Sequence, residues 1–123
     1  FGVPHGVVCA VLLPYTLAFS LGAATTRLAE MGRALGLPVE NERERAWAFL
    51  REYVALQRTV DLPSAFKDVG IAEAAYRAQL EPMIEAAQDS GSTRLSPKIP
   101  SVDETRGLFL RAYYGQLPEA LVL

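Results

Sequence analysis

The chain has 123 residues, enough for one domain with a substantial core, and half of them are hydrophobic. Twelve basic and fourteen acidic residues give a net charge of −2, and no Lys/Arg cluster interrupts that balance, which excludes nucleic acid as an electrostatic partner. A single cysteine excludes an internal disulfide and points to a reducing, cytoplasmic setting.

The first charged side chain is Arg27. The segment before it holds the only His (His5) and the only Cys (Cys9). Gly6 to Thr26 is uncharged and long enough for a membrane span. No basic residues flank it to orient a span, no basic n-region marks a signal peptide, and small and polar residues dilute its last third. The expectation is therefore a buried core helix and no membrane. Pro4 suits the first helical turn, and Val7, Val8, Val11, Leu12 and Leu13 cover most of the circumference, the pattern of a helix enclosed by protein. Pro14 removes one ladder bond and is expected to kink the helix, and Gly22 is read as its stop.

A second helix is predicted from about Ala24 to Leu35, with Leu28, Met31 and Leu35 on one face and Gly36 and Pro38 as a stop. Asn41 and Glu44 open a third, in which Ala46, Phe49, Leu50, Tyr53, Leu56 and Val60 keep helical spacing. Asp61-Leu62-Pro63-Ser64 breaks it, and Ser64 is expected to cap a short turn through Phe66 that ends near Gly70. Ile71 to Asp89 reads as helix with a kink or break at Pro82. Ser90 to Pro100 reads as a long polar connector, a place where function or mobility concentrates. Ser101 and Glu104 form a capping box for a last helix that Gly115 closes. No segment alternates as a half-buried strand does, so the fold class is all-α, a multi-helix domain spanning residues 1–123.

Motifs that would carry chemistry alone are few. There is no G-x-G-x-x-G and no P-loop, and one His with one Cys cannot complete a metal site. Cys9 lies four residues after His5, on the same helix face, but a cysteine in apolar surroundings is inert, and Cys9 is expected to be structural. His5 sits between Pro4 and Gly6 at a helix start, where a neutral imidazole can face a cleft as a metal ligand or serve packing alone. Both readings are open on residue chemistry.

Pro4-His5-Gly6, followed by Leu13-Pro14-Tyr15 and Ala18-Phe19-Ser20, resembles a signature of the iron-containing (group III) alcohol dehydrogenases. Arg27-Leu28-Ala29-Glu30-Met31-Gly32-Arg33-Ala34-Leu35-Gly36 looks like a helix of that family. Leu62-Pro63-Ser64-Ala65-Phe66-Lys67-Asp68-Val69-Gly70 is similar to one of its turns, and Ser96-Pro97-Lys98 through Asp103-Glu104 to Ala112-Tyr113 to its closing motif. The resemblance implies a C-terminal helical domain of the dehydroquinate synthase-like type that follows an α/β NAD(P)-binding domain of the same polypeptide. It implies that His5 is one ligand of a divalent ion, Fe²⁺ or Zn²⁺, otherwise held by one Asp and two His outside this chain. The substrate would be a small alcohol or aldehyde.

The chain starts with Phe1, and the expectation is a fragment without turnover that binds neither metal nor NAD(P) tightly by itself and can self-associate into a homo-oligomer. No residue is assigned to catalysis or to the nicotinamide cofactor. Cys9 and Ser20 stand where many members have Asn, which leaves the substrate open. A maleylacetate reductase-type domain of the same fold and a non-catalytic helical interaction module are the alternatives.

Overall fold

The computed structural model describes residues 1–122, and its longest element, α1 (His5–Ala34), carries a proline in mid-helix. Pro14 has no N–H to give the Ala10 carbonyl one turn earlier, and a carbonyl left bare where protein partly covers it is costly. The second helix, α2 (Glu42–Thr59), supplies the missing donors. Tyr53 Oη donates to Ala10 O at 3.0 Å and Gln57 Nε2 at 3.1 Å, and the same Gln57 amide donates to Pro63 O at 2.9 Å. Gln57 is one of only two polar residues buried among those described, which fits a side chain retained for its hydrogen bonds.

The remaining elements are α3 (Glu73–Asp89), a single turn α4 (Gly91–Arg94), α5 (Val102–Tyr114), and 3₁₀ turns at Phe66–Val69 and Glu119–Leu121, with no strand among the described residues. The class is all-α, as expected. Two predicted helices are one: α1 runs through Gly22 and bends at Ala24, whose φ of −126° and ψ of 20° leave the helical region. Beside the bend, Thr25 Oγ1 donates to Leu21 O at 2.6 Å, and such back-bonding to the i−4 carbonyl bends helices. The predicted kink at Pro14 is not the site of the bend, because α2 satisfies the freed carbonyl in place. Pro82 does not break α3 either; it faces solvent, where water can serve the carbonyl it frees.

α1 is the spine of two cores. Its first half meets Phe66, Ile71, Tyr76, Leu80, Ile84, Ala112 and Tyr113 through Val11 and Tyr15. Its second half meets Ala46, Leu50 and Val54 of α2 through Leu21, Leu28 and Ala29. The helices approach closely at Gly32, where a Cβ would stand 2.8 Å from Arg45 Cγ and 3.0 Å from its carbonyl oxygen. Leu121 in the last 3₁₀ turn is fully buried in this second core.

Burial of α1 is narrower than its sequence suggests. Val11, Pro14, Tyr15 and Leu21 are buried, while His5, Gly6, Cys9, Leu13 and Thr16 are exposed along another face. α1 has the length and apolar composition to cross a membrane, and its packing into both cores makes it the central helix of a helical domain. The helix ends follow local chemistry. Asn41 Oδ1 accepts from Glu44 N, and Ser101 and Glu104 form a complete capping box. Gly36, at φ 73°, closes α1 with Gly36 N donating to Arg33 O and Leu37 N to Gly32 O, a Schellman arrangement. Ser64 does not cap the 3₁₀ turn; its carbonyl accepts from Tyr15 Oη at 3.1 Å.

Three buried tyrosines of the first core each donate to a backbone carbonyl, Tyr15 and Tyr113 to irregular backbone and Tyr76 to α5. Besides Tyr15, Tyr76 Oη donates to Phe109 O at 2.9 Å and Tyr113 Oη to Ile71 O at 2.8 Å. Burial pushes the Tyr15 phenol up to about 12, with nearby Asp68 adding to the effect, and raises Tyr76 further, with Tyr113 adding.

Two outcomes follow. Gln57→Leu should cost about 2 kcal/mol in denaturant unfolding, because two partly buried carbonyls lose a donor. In a Pro14→Ala background, where Ala10 O regains a backbone N–H, the same change should cost about 1 kcal/mol less; equal costs would show that the two residues do not share this carbonyl. Alkaline unfolding supplies the second. Both phenols are raised above the ordinary 10.0, so their contribution is whole below pH 10 and is lost as pH climbs through 10 toward 12. The denaturation midpoint should hold up to that point and then fall, with the phenolate absorbance of Tyr15 and Tyr76 appearing together with unfolding.

Candidate metal centre and adjoining cavity

Pro4 is the N-cap of α1, and its carbonyl accepts from Val7 N and Val8 N. Its φ of −55° suits entry into a helix, and the position needs no donor from it. His5 is therefore the first helical residue, with its imidazole at the open end of the domain. The four residues before the helix are held by aromatic packing: Phe1 stacks on Tyr76 with ring centroids 6.0 Å apart, and Val3 packs against the first core.

His5 is exposed, and its one polar contact among the described residues is with Cys9. Cys9 Sγ lies 3.5 Å from Nε2 and 3.8 Å from Nδ1. Cys9 is exposed too, which corrects the expectation of an apolar, buried thiol. The reason is geometric: the cores claim the Val11, Pro14 and Tyr15 side of α1, and Cys9 falls outside it. Tyr53 lies nearby, and its phenol is raised by burial first and by Cys9 second.

Among the described residues no three His, Cys, Asp or Glu side chains gather as a metal site. The donor chemistry at the end of α1 still suits a divalent ion. An imidazole and a thiol, both open to solvent, are good ligands for zinc-like ions, and neither is committed to a carbonyl or carboxylate.

Further along the same side of α1 lies a cavity of about 250 Å³. Leu12, Thr16, Phe19 and Ser20 supply its α1 wall, at spacings that keep them on the face of His5 and Cys9. Leu12 is about 10 Å from His5 along the helix axis. Leu108 and Phe109 of α5 close the apolar side, and Thr93, Ser96 and Lys98 come from the connector. That connector is not wholly irregular, since α4 forms within it. Its far end is pinned by Gln88 Nε2, which donates to Pro100 O at 3.1 Å and to Thr105 Oγ1 at 2.6 Å. Lys98 Nζ sits 4.1 Å from the centroid of the Phe19 ring and 3.6 Å from Glu104 Oε2, so its charge is already partnered.

Sequence reasoning singled out His5 and its helix position but assigned no role to the cavity. The length of the polar connector was the only signal for that cavity. Residue patterns could not bring the connector onto Phe19.

The model for the Fe-containing alcohol dehydrogenase family, C-terminal, matches residues 1–113. The chain is 25% identical over 115 residues to an NADPH-dependent butanol dehydrogenase of Clostridium saccharobutylicum, covering 94% of this chain and 30% of that protein. It is 27% identical over 113 residues to an alcohol dehydrogenase of Thermococcus barophilus, covering 90% of this chain and 28% of the relative. A lactaldehyde reductase of Escherichia coli is 25% identical over 115 residues, with 92% of this chain and 29% of the relative covered. The chain thus spans under a third of the length of these relatives.

Proposed function

The chain belongs to the Fe-containing alcohol dehydrogenase family, as a C-terminal part, and from this premise we propose that it is the helical portion of a cytoplasmic, metal-dependent NAD(P) oxidoreductase that interconverts an alcohol and its aldehyde. The observation that carries the reading is the exposed imidazole of His5, in a Pro-His-Gly turn at the head of α1, with no partner but Cys9 among the described residues. His5 is a ligand of the ion through a ring nitrogen. The remaining ligands and the nicotinamide-binding domain lie elsewhere in the same polypeptide.

His5 would be one of the groups that hold a divalent ion, and the ion would supply Lewis acidity to a substrate oxygen for chemistry with the nicotinamide. This chain's own residues do the rest of its share. Proline-fixed entry and the stacking of Phe1 on Tyr76 hold His5 in place. The wall of Leu12, Phe19, Leu108 and Phe109 accepts carbon skeleton and keeps water away from it. The hydroxyls of Thr16, Ser20 and Thr93 offer orientation to a polar substituent. The exposed apolar positions on the same side of α1, such as Leu13, are covered by the nucleotide-binding domain.

The test is to express the complete reading frame that encodes this chain. An α/β region with an Asp-x-x-x-His motif upstream of Phe1 is expected. In that polypeptide His5→Ala should lower kcat/KM for alcohol oxidation at least about 100-fold and reduce bound metal measured by elemental analysis. A reading frame without a nucleotide-binding region, or undiminished activity and metal content in His5→Ala, would overturn the proposal.

A further inference from the structure

We infer that the substrate is an uncharged long-chain primary alcohol or its aldehyde, with a tail of about ten to sixteen carbons that lies along α1 in the cavities beyond His5. The inference deepens the proposed function and rests on it. Three observations support it. The first is register. His5, Val8, Leu12, Thr16 and Phe19 follow one another at three or four positions, so they share one face of α1. Two cavities lie along that face. Val8 and Leu12, with Met83 and Phe109, line one of about 140 Å³. Leu12, Thr16 and Phe19 line the larger one of about 250 Å³. Leu12 and Phe109 belong to both walls, so the two spaces adjoin there. An apolar path therefore starts one turn from His5 and follows the helix to Phe19 and Ser20.

The second observation is length. Along the helix axis Val8 is about 4.5 Å from His5, Leu12 about 10 Å and Ser20 about 22 Å. With carbon–carbon bonds of about 1.5 Å, an extended alkyl chain advances about 1.25 Å per carbon. A substrate whose oxygen sits on an ion at His5 therefore reaches Leu12 only with about eight carbons, and each further carbon enters the larger cavity. 1-Butanol ends near Val8 and leaves that cavity unused. The third observation is charge. Lys98, the charged residue in the lining, holds Glu104 Oε2 at 3.6 Å and lies 4.1 Å from the centroid of the Phe19 ring. Its charge is engaged at the far end of the path, so nothing there neutralises a carboxylate on the tail. The tail ends in carbon. At the oxygen end the alcohol carbon gives a hydride to the oxidised nicotinamide, the hydroxyl proton passes to solvent, and the aldehyde remains.

The test uses the complete polypeptide, with kcat/KM measured for linear primary alcohols from ethanol to 1-tetradecanol, each below its solubility limit. A methylene moved from water to an apolar wall contributes about fourfold, so even partial burial should raise kcat/KM for 1-decanol at least about 30-fold above that for 1-butanol. Ala87→Trp on α3 and Ser96→Trp on the connector each put an indole into the larger cavity. Either should lower the ratio of 1-dodecanol to 1-butanol about tenfold or more. Ser96 lies outside the helices that build the cores, which keeps the test intact if Ala87→Trp does not fold. Equal kcat/KM for 1-decanol and 1-butanol, or a decline beyond 1-hexanol, overturns the long-chain assignment and leaves the dehydrogenase reading standing. A long-chain preference that the folded variants leave intact puts the tail elsewhere and also overturns it. Faster oxidation of 12-hydroxydodecanoate than of 1-dodecanol overturns the uncharged tail. Oxidation of no alcohol of any length overturns this inference and the proposed function together.

Discussion

The carbonyl of Ala10 is the point on which the domain turns. Pro14 strips it of its helical donor, and the partly buried carbonyl finds replacements within the protein. Tyr53 and Gln57 of α2 reach it from one side, and Gln57 also ties down Pro63 in the segment that leaves α2. One missing N–H therefore sets the rotation of α2 about its axis and the path of the chain after it. Apolar packing between α1 and α2 would accept several small slips, since hydrophobic contact is not directional. A pair of hydrogen bonds to one oxygen does not. The same carbonyl lies one residue after Cys9, so the contact that registers α2 also steadies the turn of α1 that carries the exposed thiol.

The two cores share α1 but differ in how they are held. The second is largely aliphatic, built by Leu21, Leu28, Leu50 and Val54, with the chain's close approach at Gly32. The first is aromatic and pinned. Tyr76 packs against Phe66 and Tyr113 at centroid separations of 5.8 and 4.6 Å, and each buried tyrosine ends on a backbone carbonyl. Phe1 extends that stack to the residues just before His5. Rigidity is thus concentrated at the end of the molecule where the imidazole stands. The surface ion pairs, such as Arg106 with Glu81 and Asp103, add little to stability at such exposure.

What the sequence made legible was mostly local. Asn41, Ser101, Gly36 and Gly115 mark helix ends because capping and left-handed closure depend on a few neighbouring residues, and each does so in the structure. The consequences of Pro14 were not legible, since they depend on Tyr53 and Gln57, some forty residues away. Gly22 looked like a stop, yet the helix continues, because the bend is placed by Thr25 and by the two cores. Leu121 carried no pattern of its own and is nonetheless fully buried. At the site, the Pro-His-Gly tripeptide pointed to His5, whereas Cys9 is exposed where apolar surroundings were expected. Apolarity all around a helix says that every face will be covered, but not that this chain's own cores will cover it.

That distinction bears on charge. α1 has no carboxylate before Glu30, so its first half offers a divalent cation no acidic side chain. The head of a helix also carries partial positive charge, which works against a cation held there by a neutral imidazole alone.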